Sequence, residues 1–509
     1  MMHQAETGVP LSVLLSGWVD IPRVSPEVRG LCLDSRKVRP GDLFFALAGS
    51  QYHGMEHADS AAARGACAIL YDPVGGGLEL AAREWGIPCI SLPELSQKMG
   101  YVADRFYAGP SSQMSVIGVT GTNGKTSCSH FLATALEADG NAAVIGTLGW
   151  GTPGKLNPTA HTTPDAIEVH SLLAKLLAGS YKNVAMEASS HGLEQGRLNG
   201  VHFEGCLFTN LSRDHLDYHL TMESYLEAKL RLVTWPGLKF IAFNLEDECA
   251  RVIMERASGA ARKIGFALTE KHLAPPGVEI VQASAIEQSH DGISFDICFD
   301  GQKARLTAPL FGGFNVENLL GVVAVLLAKG LKLREVTQRL KKISAVPGRM
   351  ERIPAAQGAI AVVDYAHTPD ALAKALASLR QHCRGSLWVV FGCGGDRDRG
   401  KRPQMGIIAE QLADHVILTD DNPRFEDGDT IIKEIIAGCS RQDIVIIRDR
   451  RLAIAHASER LGPGDVLLVA GKGHEDTQEV KGVRHPFNDR EVVVQLLGMA
   501  ARERETLCA

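Results

Sequence analysis

The chain has 509 residues, 45% of them hydrophobic and 22% charged, which is typical of a soluble globular protein of about three domains. A net charge of −6, without a dense Lys/Arg stripe, argues against a nucleic-acid-binding protein. No apolar run approaches the roughly 18 residues of a membrane helix, and the eleven scattered cysteines lack disulfide or zinc spacing, so a cytoplasmic protein without a membrane partner is expected.

Residues 1–110 are predicted to form an N-terminal α/β domain. Short apolar runs at 30–34, 42–47 and 67–71 indicate strands, and an alanine-rich stretch near 56–65 indicates a helix. The turn-rich residues 109–112 then predict a linker.

The second segment, 111–345, begins with a phosphate-loop pattern. An apolar strand at 115–119 leads into a Gly-rich loop, and a helix is predicted from Lys125 to about Ala138. In this context the backbone N–H groups and the helix dipole hold phosphate oxygens, the lysine meets the β- and γ-phosphates, and a hydroxyl binds Mg²⁺. A glycine-rich turn beside a chance Lys-Thr pair is the less favoured alternative. The predicted ATP-binding residues are Gly121, Thr122, Asn123, Gly124, Lys125, Thr126 and Ser127.

Acidic and imidazole groups follow this loop along the chain. Glu187 ends a predicted strand at 183–186, where a second metal ligand often lies beside a phosphate loop. Residues 209–219 combine acids with His215, which suits either a cation site or a plain charged loop. Further on, Asp291-Gly292 and Asp300-Gly301 separate alternating runs, so the central domain is predicted to combine its parallel sheet with a small antiparallel sheet.

The third segment, 346–509, alternates strands with amphipathic helices. Its apolar strand runs are 359–363, 387–391, 415–418, 444–447 and 465–470. This alternation predicts a Rossmann-like, doubly wound parallel sheet with ligand sites at the carboxyl ends of the strands.

Several motifs, taken in order, resemble the Mur ligase family, and the resemblance extends over nearly the whole chain. The Gly-Thr-Asn-Gly-Lys-Thr loop, 186–193 and 209–217 carry the central similarity. Residues 34–45 resemble a uridine-nucleotide-binding domain, and 310–318 resemble the stretch that contacts adenine. Two further stretches, 364–370 and 392–399, resemble phosphate-side loops of the third domain.

The resemblance implies an ATP-dependent ligase of peptidoglycan precursor synthesis that forms an amide through an acyl phosphate. ATP is also expected at Asn315, Asn318, Arg349 and His367. UDP-N-acetylmuramoyl-L-alanyl-D-glutamate is expected at Ser35, Thr162, Thr163, Ser189, Gln195 and Arg197. The family's catalytic and Mg²⁺-binding positions fall on Lys125, Thr126, Glu187, His215 and Lys229, the last as a carbamate. A carbamate supplies the hard oxygen ligands that Mg²⁺ prefers, whereas a bare ammonium would repel the ion.

Two third-domain motifs resemble the branch of the family that adds meso-diaminopimelate. A planar guanidinium fork suits the extra carboxylate of this amino acid, while an amide and a carboxylate suit its ammonium. The residues expected to bind it are Arg397, Asp421, Asn422, Pro423, Arg424, Gly471 and Glu475.

Three alternatives to this function stay open. The nearest is the lysine-adding member of the same family. Folylpolyglutamate synthase shares the ATPase core but lacks a first domain like residues 1–109. A nucleotide-dependent switch would hydrolyse ATP without ligating anything. The protein is expected to be a monomer.

Overall fold

The protein is described by a computed structural model covering residues 8–21, 25–49, 52–159, 161–269, 275–289, 292–355 and 358–497. These residues belong to two units. Unit 1 draws on Met1–Phe266, Leu273–Ile280 and Gly321–Leu331, and unit 2 on Ala267–His272, Val281–Leu320 and Lys332–Ala509.

The elements that precede the Gly-rich loop are short. In chain order they are β1 (Val9–Pro10), α1 (Leu11–Leu14), β2 (Glu27–Val28), β3 (Gly30–Cys32), β4 (Asp42–Ala46), α2 (Ala58–Ala63), β5 (Ala68–Tyr71), α3 (Gly77–Ala81), β6 (Cys89–Ser91), α4 (Leu95–Phe106) and β7 (Ser115–Thr120).

The central part of the chain follows. Its elements are α5 (Lys125–Leu136), β8 (Ala142–Gly146), β9 (Gly149–Thr152), β10 (Lys155–Asn157), α6 (Ala166–Ala178), β11 (Asn183–Glu187), α7 (Ser190–Glu194), β12 (Gly205–Phe208), α8 (Leu216–His219), α9 (Met222–Val233), β13 (Phe240–Asn244), α10 (Ala250–Arg256), β14 (Arg262–Ala267), β15 (Val278–Ser289), β16 (Gly292–Phe299), β17 (Gln302–Ala308) and α11 (Phe314–Ala328).

The remaining elements belong to unit 2. They are α12 (Leu333–Leu340), β18 (Glu351–Pro354), β19 (Ile360–Asp364), α13 (Pro369–Arg380), β20 (Leu387–Phe391), α14 (Lys401–Leu412), β21 (His415–Leu418), α15 (Gly428–Ile436), β22 (Val445–Ile446), α16 (Arg450–Ser458), β23 (Val466–Ala470), β24 (Thr477–Val480) and β25 (Val483–Pro486).

Parallel sheets organise unit 1. Strands β3 to β6 form a four-stranded parallel sheet in sequence order. In the larger sheet, β7 lies between β11 and β12 and is parallel to both. The register pairs Glu187 with Val119 and Phe208 with Thr120. The carboxyl ends of β7, β11 and β12 therefore meet at one edge, beside the Gly-rich loop.

Unit 2 contains a six-stranded sheet of order β18-β19-β23-β20-β21-β22, in which only β18 is antiparallel among these strands. Apolar side chains are buried on both faces of this sheet. The predicted α/β class and doubly wound third segment are confirmed. As Rossmann-like sheets require, β19, β20, β21 and β23 end at a common edge, where ligand-binding loops are expected.

The predicted hairpins form three antiparallel strands, β15, β16 and β17, which are part of a larger sheet rather than a separate small one. Between β16 and β17, Asp300 and Gly301 both have positive φ, at 48° and 69°, as the tight turn requires. Gly292 begins β16, whereas Asp291 lies outside the described residues. The helix after the Gly-rich loop is slightly shorter than predicted. It ends at Leu136 because residues 137–139 tighten into a 3₁₀ turn before Gly140.

No helix in the described part of the chain is long and apolar enough to cross a membrane.

Candidate active site

The Gly-rich loop of unit 1, residues 121–124, is shaped by its backbone. Gly121 and Gly124 have φ angles of 139° and 84°, which favour glycine. A Cβ at Gly121 would also lie 2.0 Å from Thr209 Oγ1, so no larger residue fits. Lys125 Nζ lies back over the loop and donates to the carbonyls of Gly121 and Thr122, both at 2.9 Å. The ammonium is thus held where phosphate groups would meet the start of α5.

Glu187, at the end of β11, lies directly beside this helix start. Its buried carboxylate accepts hydrogen bonds from the Thr126 hydroxyl at 3.0 Å and from the N–H and hydroxyl of Thr147 at 2.9 and 3.1 Å. A Cβ at Gly146 would approach Glu187 Oε1 to 2.1 Å, so glycine leaves room for this carboxylate. Carboxylate and hydroxyl oxygens are the hard donors that Mg²⁺ prefers. The predicted pair of Thr126 and Glu187 is therefore in contact and fits a cation.

Lys229, on α9, is buried behind the same loop with a relative exposure of 1%. Its Nζ donates to the Gly121 carbonyl at 2.7 Å and lies 4.4 Å from the centre of the Tyr225 ring. Burial, reinforced by the nearby charge of Lys125, holds the pKa of Lys229 well below its usual value. The side chain is therefore biased toward the neutral amine, the form that reacts with carbon dioxide.

His215 lies in the loop before α8 and has a positive φ of 54°. Its Nε2 lies 3.5 Å from Asp214 Oδ2, and its ring is 5.0 Å from that of His191 and 6.0 Å from that of Tyr225. Among the described residues, no group of three or more His, Cys, Asp or Glu side chains forms a metal-binding cluster. The side chain of Asp217 lies outside the described set.

Five residues predicted to bind the muramoyl peptide form one hydrogen-bonded network next to Glu187. Thr163 Oγ1 donates to the Glu187 carbonyl at 2.9 Å and accepts from the Ser189 hydroxyl at 2.9 Å. Arg197 donates to the Thr163 carbonyl at 2.9 Å and twice to Gln195 Oε1, at 3.0 and 2.6 Å.

The network continues at both ends. Thr162 Oγ1 lies 3.1 Å from Thr147 Oγ1, which connects it to Glu187, and Gln195 Nε2 donates to Tyr218 at 3.0 Å. Ser35 lies elsewhere in unit 1, buried in the 3₁₀ turn that follows β3, where Asp34 caps the turn. The structure thus brings five of the six predicted residues together.

The four further ATP residues lie in unit 2 and form two pairs. Asn315 Nδ2 donates to the Phe311 carbonyl at 2.7 Å, and Asn318 Nδ2 donates to Asn315 Oδ1 at 3.1 Å. Arg349 and His367 lie around Tyr365, with the guanidinium carbon 4.5 Å and the imidazole centre 4.6 Å from the phenol ring. Both residues therefore contact Tyr365, a proximity that the sequence analysis did not predict.

The predicted diaminopimelate residues lie in three strand-end loops of unit 2, residues 394–397, 421–424 and 471–475. Asn422 Nδ2 donates to Glu475 Oε2 at 2.8 Å. Arg424 Nη1 donates to the Gly395 carbonyl at 2.7 Å, while its Nε is 3.8 Å from Glu479 Oε2. The guanidinium is therefore held by one hydrogen bond to a carbonyl and one long ion pair to Glu479.

The other members of this set complete the same surface. A Cβ at Gly394 would lie 2.9 Å from Arg424 Nη1 and 3.6 Å from Arg397 Cγ, so both arginines border this glycine. A Cβ at Gly471, whose φ is 114°, would lie 2.5 Å from the carboxylate of Asp421. Burial raises the pKa of Asp421. Pro423 packs its carbonyl against Gly395, which keeps the first two loops in contact.

Sequence reasoning did not single out Lys472, which the structure places among the predicted diaminopimelate residues. Its side chain is fully buried, and its ammonium bonds both Asn422 and Glu475. The only sequence signal was its position inside the Gly-Lys-Gly-His-Glu motif, which assigned it no role. Thr147 was missed for a different reason, because its contact with Glu187 depends on how the loop after β8 folds.

Comparison with known proteins gives matches over nearly the whole chain. The Mur ligase middle domain model matches residues 119–326, the Mur ligase glutamate ligase domain matches 348–473, and the Mur ligase catalytic domain matches 27–106. A UDP-N-acetylmuramoyl-L-alanyl-D-glutamate–2,6-diaminopimelate ligase from Alkalilimnicola ehrlichii is 45% identical, covering 96% of this chain and 98% of its own.

Solved structures of Mur ligases are also similar to this chain. One of a UDP-N-acetylmuramoyl-L-alanyl-D-glutamate–2,6-diaminopimelate ligase superposes with a TM-score of 0.70 at 35% identity, covering 97% of this chain and 99% of its own. The MurF ligase from Thermotoga maritima in complex with ADP has a TM-score of 0.61 at 17% identity, covering 93% and 98%, which supports the fold alone.

Proposed function

The chain belongs to the Mur ligase family, and on that premise we propose that it ligates meso-diaminopimelate to the D-glutamate of UDP-N-acetylmuramoyl-L-alanyl-D-glutamate in peptidoglycan biosynthesis. One observation carries the choice of amino acid. Arg424 lies two residues from Asn422, whose amide bonds Glu475, so a guanidinium and a carboxylate share one strand-end surface. Diaminopimelate offers a carboxylate and an ammonium to match both groups.

Cleavage of ATP supplies the free energy for amide formation. The N–H groups at the start of α5 and the ammonium of Lys125 would neutralise the γ-phosphate, as in other phosphoryl transfers. The γ-carboxylate of D-glutamate attacks this phosphorus in line, and ADP leaves. The amine of diaminopimelate then attacks the acyl carbon, loses its proton and expels phosphate, leaving the amide. Positioning and charge neutralisation are enough for both steps, so no covalent enzyme intermediate is needed.

Mg²⁺ fits the donor set of unit 1. Thr126 and Glu187 would hold it, because their oxygens already meet at 3.0 Å beside the Gly-rich loop. When bound, Mg²⁺ would offset negative charge on the phosphates. We assign His215 and Lys229, the latter as a carbamate, to the binding of the same Mg²⁺ ion. The lowered pKa of Lys229 supports its carbamylation, which would replace a cation with a carboxylate-like group next to the loop.

The remaining assignments belong to the same proposal. Unit 1 would bind the muramoyl peptide through the network of Thr162, Thr163, Ser189, Gln195 and Arg197, with Ser35 on the uridine nucleotide. Asn315, Asn318, Arg349 and His367 would contact ATP. Domain boundaries near 110 and 345 remain predictions. The protein is proposed to act as a monomer in the cytoplasm.

A product assay tests the reaction. Purified protein would be incubated with ATP, Mg²⁺, UDP-muramoyl-dipeptide and one member of a panel of diamino acids. We expect phosphate release only when both acceptor and amino acid are present, and a product mass equal to the sum of dipeptide and diaminopimelate minus water. ATP hydrolysis that needs neither substrate would instead indicate a nucleotide-dependent switch.

A further inference from the structure

A buried cation lies behind the strand-end loops of unit 2. Lys472 has a side-chain exposure of 0%, and its Nζ donates to Asn422 Oδ1 at 3.0 Å, Glu475 Oε2 at 2.8 Å and the Thr477 carbonyl at 2.7 Å. An ammonium has three N–H donors, so all of them are used within the protein. Lys472 therefore has no donor left to offer a ligand.

The first consequence concerns the amide of Asn422. Its Oδ1 accepts from Lys472 and from the Glu479 N–H at 2.9 Å. With Oδ1 fixed by two donors, Nδ2 must point to Glu475, which it meets at 2.8 Å. A rotated amide would place its NH₂ against the ammonium, so Lys472 selects one of the two orientations that an asparagine side chain can adopt.

The second consequence concerns Glu475. Both Asn422 and Lys472 bond its Oε2, and among the described residues no hydrogen bond reaches Oε1. Burial would raise the pKa of Glu475, but the charge and hydrogen bond of Lys472 and the hydrogen bond of Asn422 together hold it below the usual value. The carboxylate is thus kept ionised with one oxygen available.

The third consequence concerns Arg424. Lys472 bonds the first residue of β24, and the same strand holds the Arg424 backbone, whose N–H donates to the Glu479 carbonyl at 3.0 Å. On its other side, the Lys481 N–H donates to the Arg424 carbonyl at 2.6 Å. These bonds maintain the positive φ of 52° at Arg424, a conformation that disfavours a residue with a Cβ.

We propose that Lys472 is a positioning residue for amino-acid recognition, which orients Asn422, Glu475 and β24 so that Glu475 and Arg424 can receive the two ends of diaminopimelate. This inference rests on the proposed function. It assigns Lys472 no contact with substrate. A merely structural lysine would neutralise buried charge and affect folding without acting on one substrate selectively.

Kinetics of Lys472→Met test the selectivity. This variant keeps the length of the side chain and removes the cation. Removing a supporting residue behind a metal ligand typically costs about 10–100-fold in affinity, and we expect a rise of that order in the KM for diaminopimelate. The kcat and the KM for ATP should change little. Lys433→Met, which makes the same substitution at an exposed position on α15, is the matched control.

The pH dependence provides a readout that loss of folding cannot imitate. Without Lys472, burial dominates and the pKa of Glu475 rises. Glu475 then protonates at a higher pH than in the wild type, so the ratio of variant to wild-type KM should grow as the pH falls. Taking a ratio cancels titration of the substrate itself. Other ionisable groups also interact electrostatically with Glu475, namely His474, Asp421, Tyr365 and Arg450.

A second variant decides the question if Lys472→Met does not fold. Lys472→Gln keeps two N–H donors for Asn422 and Glu475 but carries no charge, so its KM should lie between those of the wild type and the Met variant while the pH effect persists. A KM for diaminopimelate no higher than in Lys433→Met, or a pH-independent ratio, would overturn the inference. If the wild type itself ligates no diaminopimelate, the proposed function fails instead, which keeps the two failures distinct.

Discussion

The Gly-rich loop of unit 1 and the strand-end loops of unit 2, the two regions proposed to bind ligands, are built in different ways. The first is one continuous stretch shaped by backbone conformation, with positive φ at Gly121 and Gly124. The second joins three separate stretches through side chains, centred on Lys472 and Asn422. A backbone site is robust to most side-chain changes outside its motif. A side-chain network loses its geometry when one member is removed.

This difference predicts that substitutions in the two regions affect different steps of the reaction. Changes around the Gly-rich loop should slow the phosphate-dependent step for every amino acid. Changes in the strand-end loops should act on the amino acid and leave ATP binding intact. Substitutions at four positions test this division.

Arg424→Ala should have the largest effect. A charge-assisted hydrogen bond is worth about 1.5–3 kcal/mol, so losing a two-bond contact should lower kcat/KM for diaminopimelate by about 10²–10⁴-fold. The KM for ATP should stay near the wild-type value. Arg424→Lys should recover only part of the loss, because a point charge cannot reproduce the planar fork. Steady-state kinetics with each substrate varied in turn would measure both effects. An equal loss of kcat/KM for ATP would contradict the predicted division between the two regions.

Lys125→Ala should reduce turnover by about 10²–10³-fold, the usual loss when one electrostatic contact to the transition state is removed. The thermal melting point should stay close to that of the wild type, because the ammonium donates to carbonyls of its own loop, Gly121 and Thr122. Phosphate release would report the rate. Near-normal turnover in the folded variant would remove the Gly-rich loop from the mechanism.

Lys229→Ala should also lose activity, by about 10²-fold if a carbamate there stabilises the transition-state charge. Lys229→Glu should recover part of that loss, since a carboxylate restores negative oxygens. Mass spectrometry of the intact wild type under bicarbonate would look for the carbamate directly. A Glu variant as inactive as the Ala variant, together with an unmodified lysine in active enzyme, would contradict this role.

Gly146→Ala should produce the smallest effect. The added methyl group would approach Glu187 Oε1 to 2.1 Å, so the carboxylate must shift away from Thr126. Overpacking of this kind typically destabilises a fold by about 1–3 kcal/mol, and we expect turnover to fall about tenfold with an unchanged KM for diaminopimelate. Gly259→Ala is the matched control, because a Cβ there meets nothing within 4 Å. Equal turnover in the two variants would show that the position of Glu187 does not matter.

The sequence predicted the features that depend on short-range patterns. The strand at 387–391, the turn at Asp300-Gly301 and the loop before Lys125 all follow from local hydrophobicity and glycine placement. The helix after Lys125 was predicted two residues too long, because its end depends on a 3₁₀ turn that no side-chain pattern announces.

The contacts of the candidate site were harder to predict. The bond between Asn422 and Glu475 joins residues 53 positions apart, and it requires strands β21 and β23 to end at one edge of the sheet. Lys472 escaped notice for a related reason. An internal lysine in a motif gives no sign of whether its ammonium points to solvent or into a buried set of acceptors. Those properties come from tertiary packing, which a single sequence does not display.

Competition between two amino acids tests the central claim most directly. Wild-type protein would receive UDP-muramoyl-dipeptide, ATP and an equimolar mixture of meso-diaminopimelate and L-lysine, and the amide products would be separated by mass. A site built to bind a carboxylate rejects an analogue lacking that group by about 10⁴–10⁵-fold, so the diaminopimelate product should be the only one detected. Comparable amounts of both products would contradict the assignment of Arg424 and of the strand-end loops to diaminopimelate recognition.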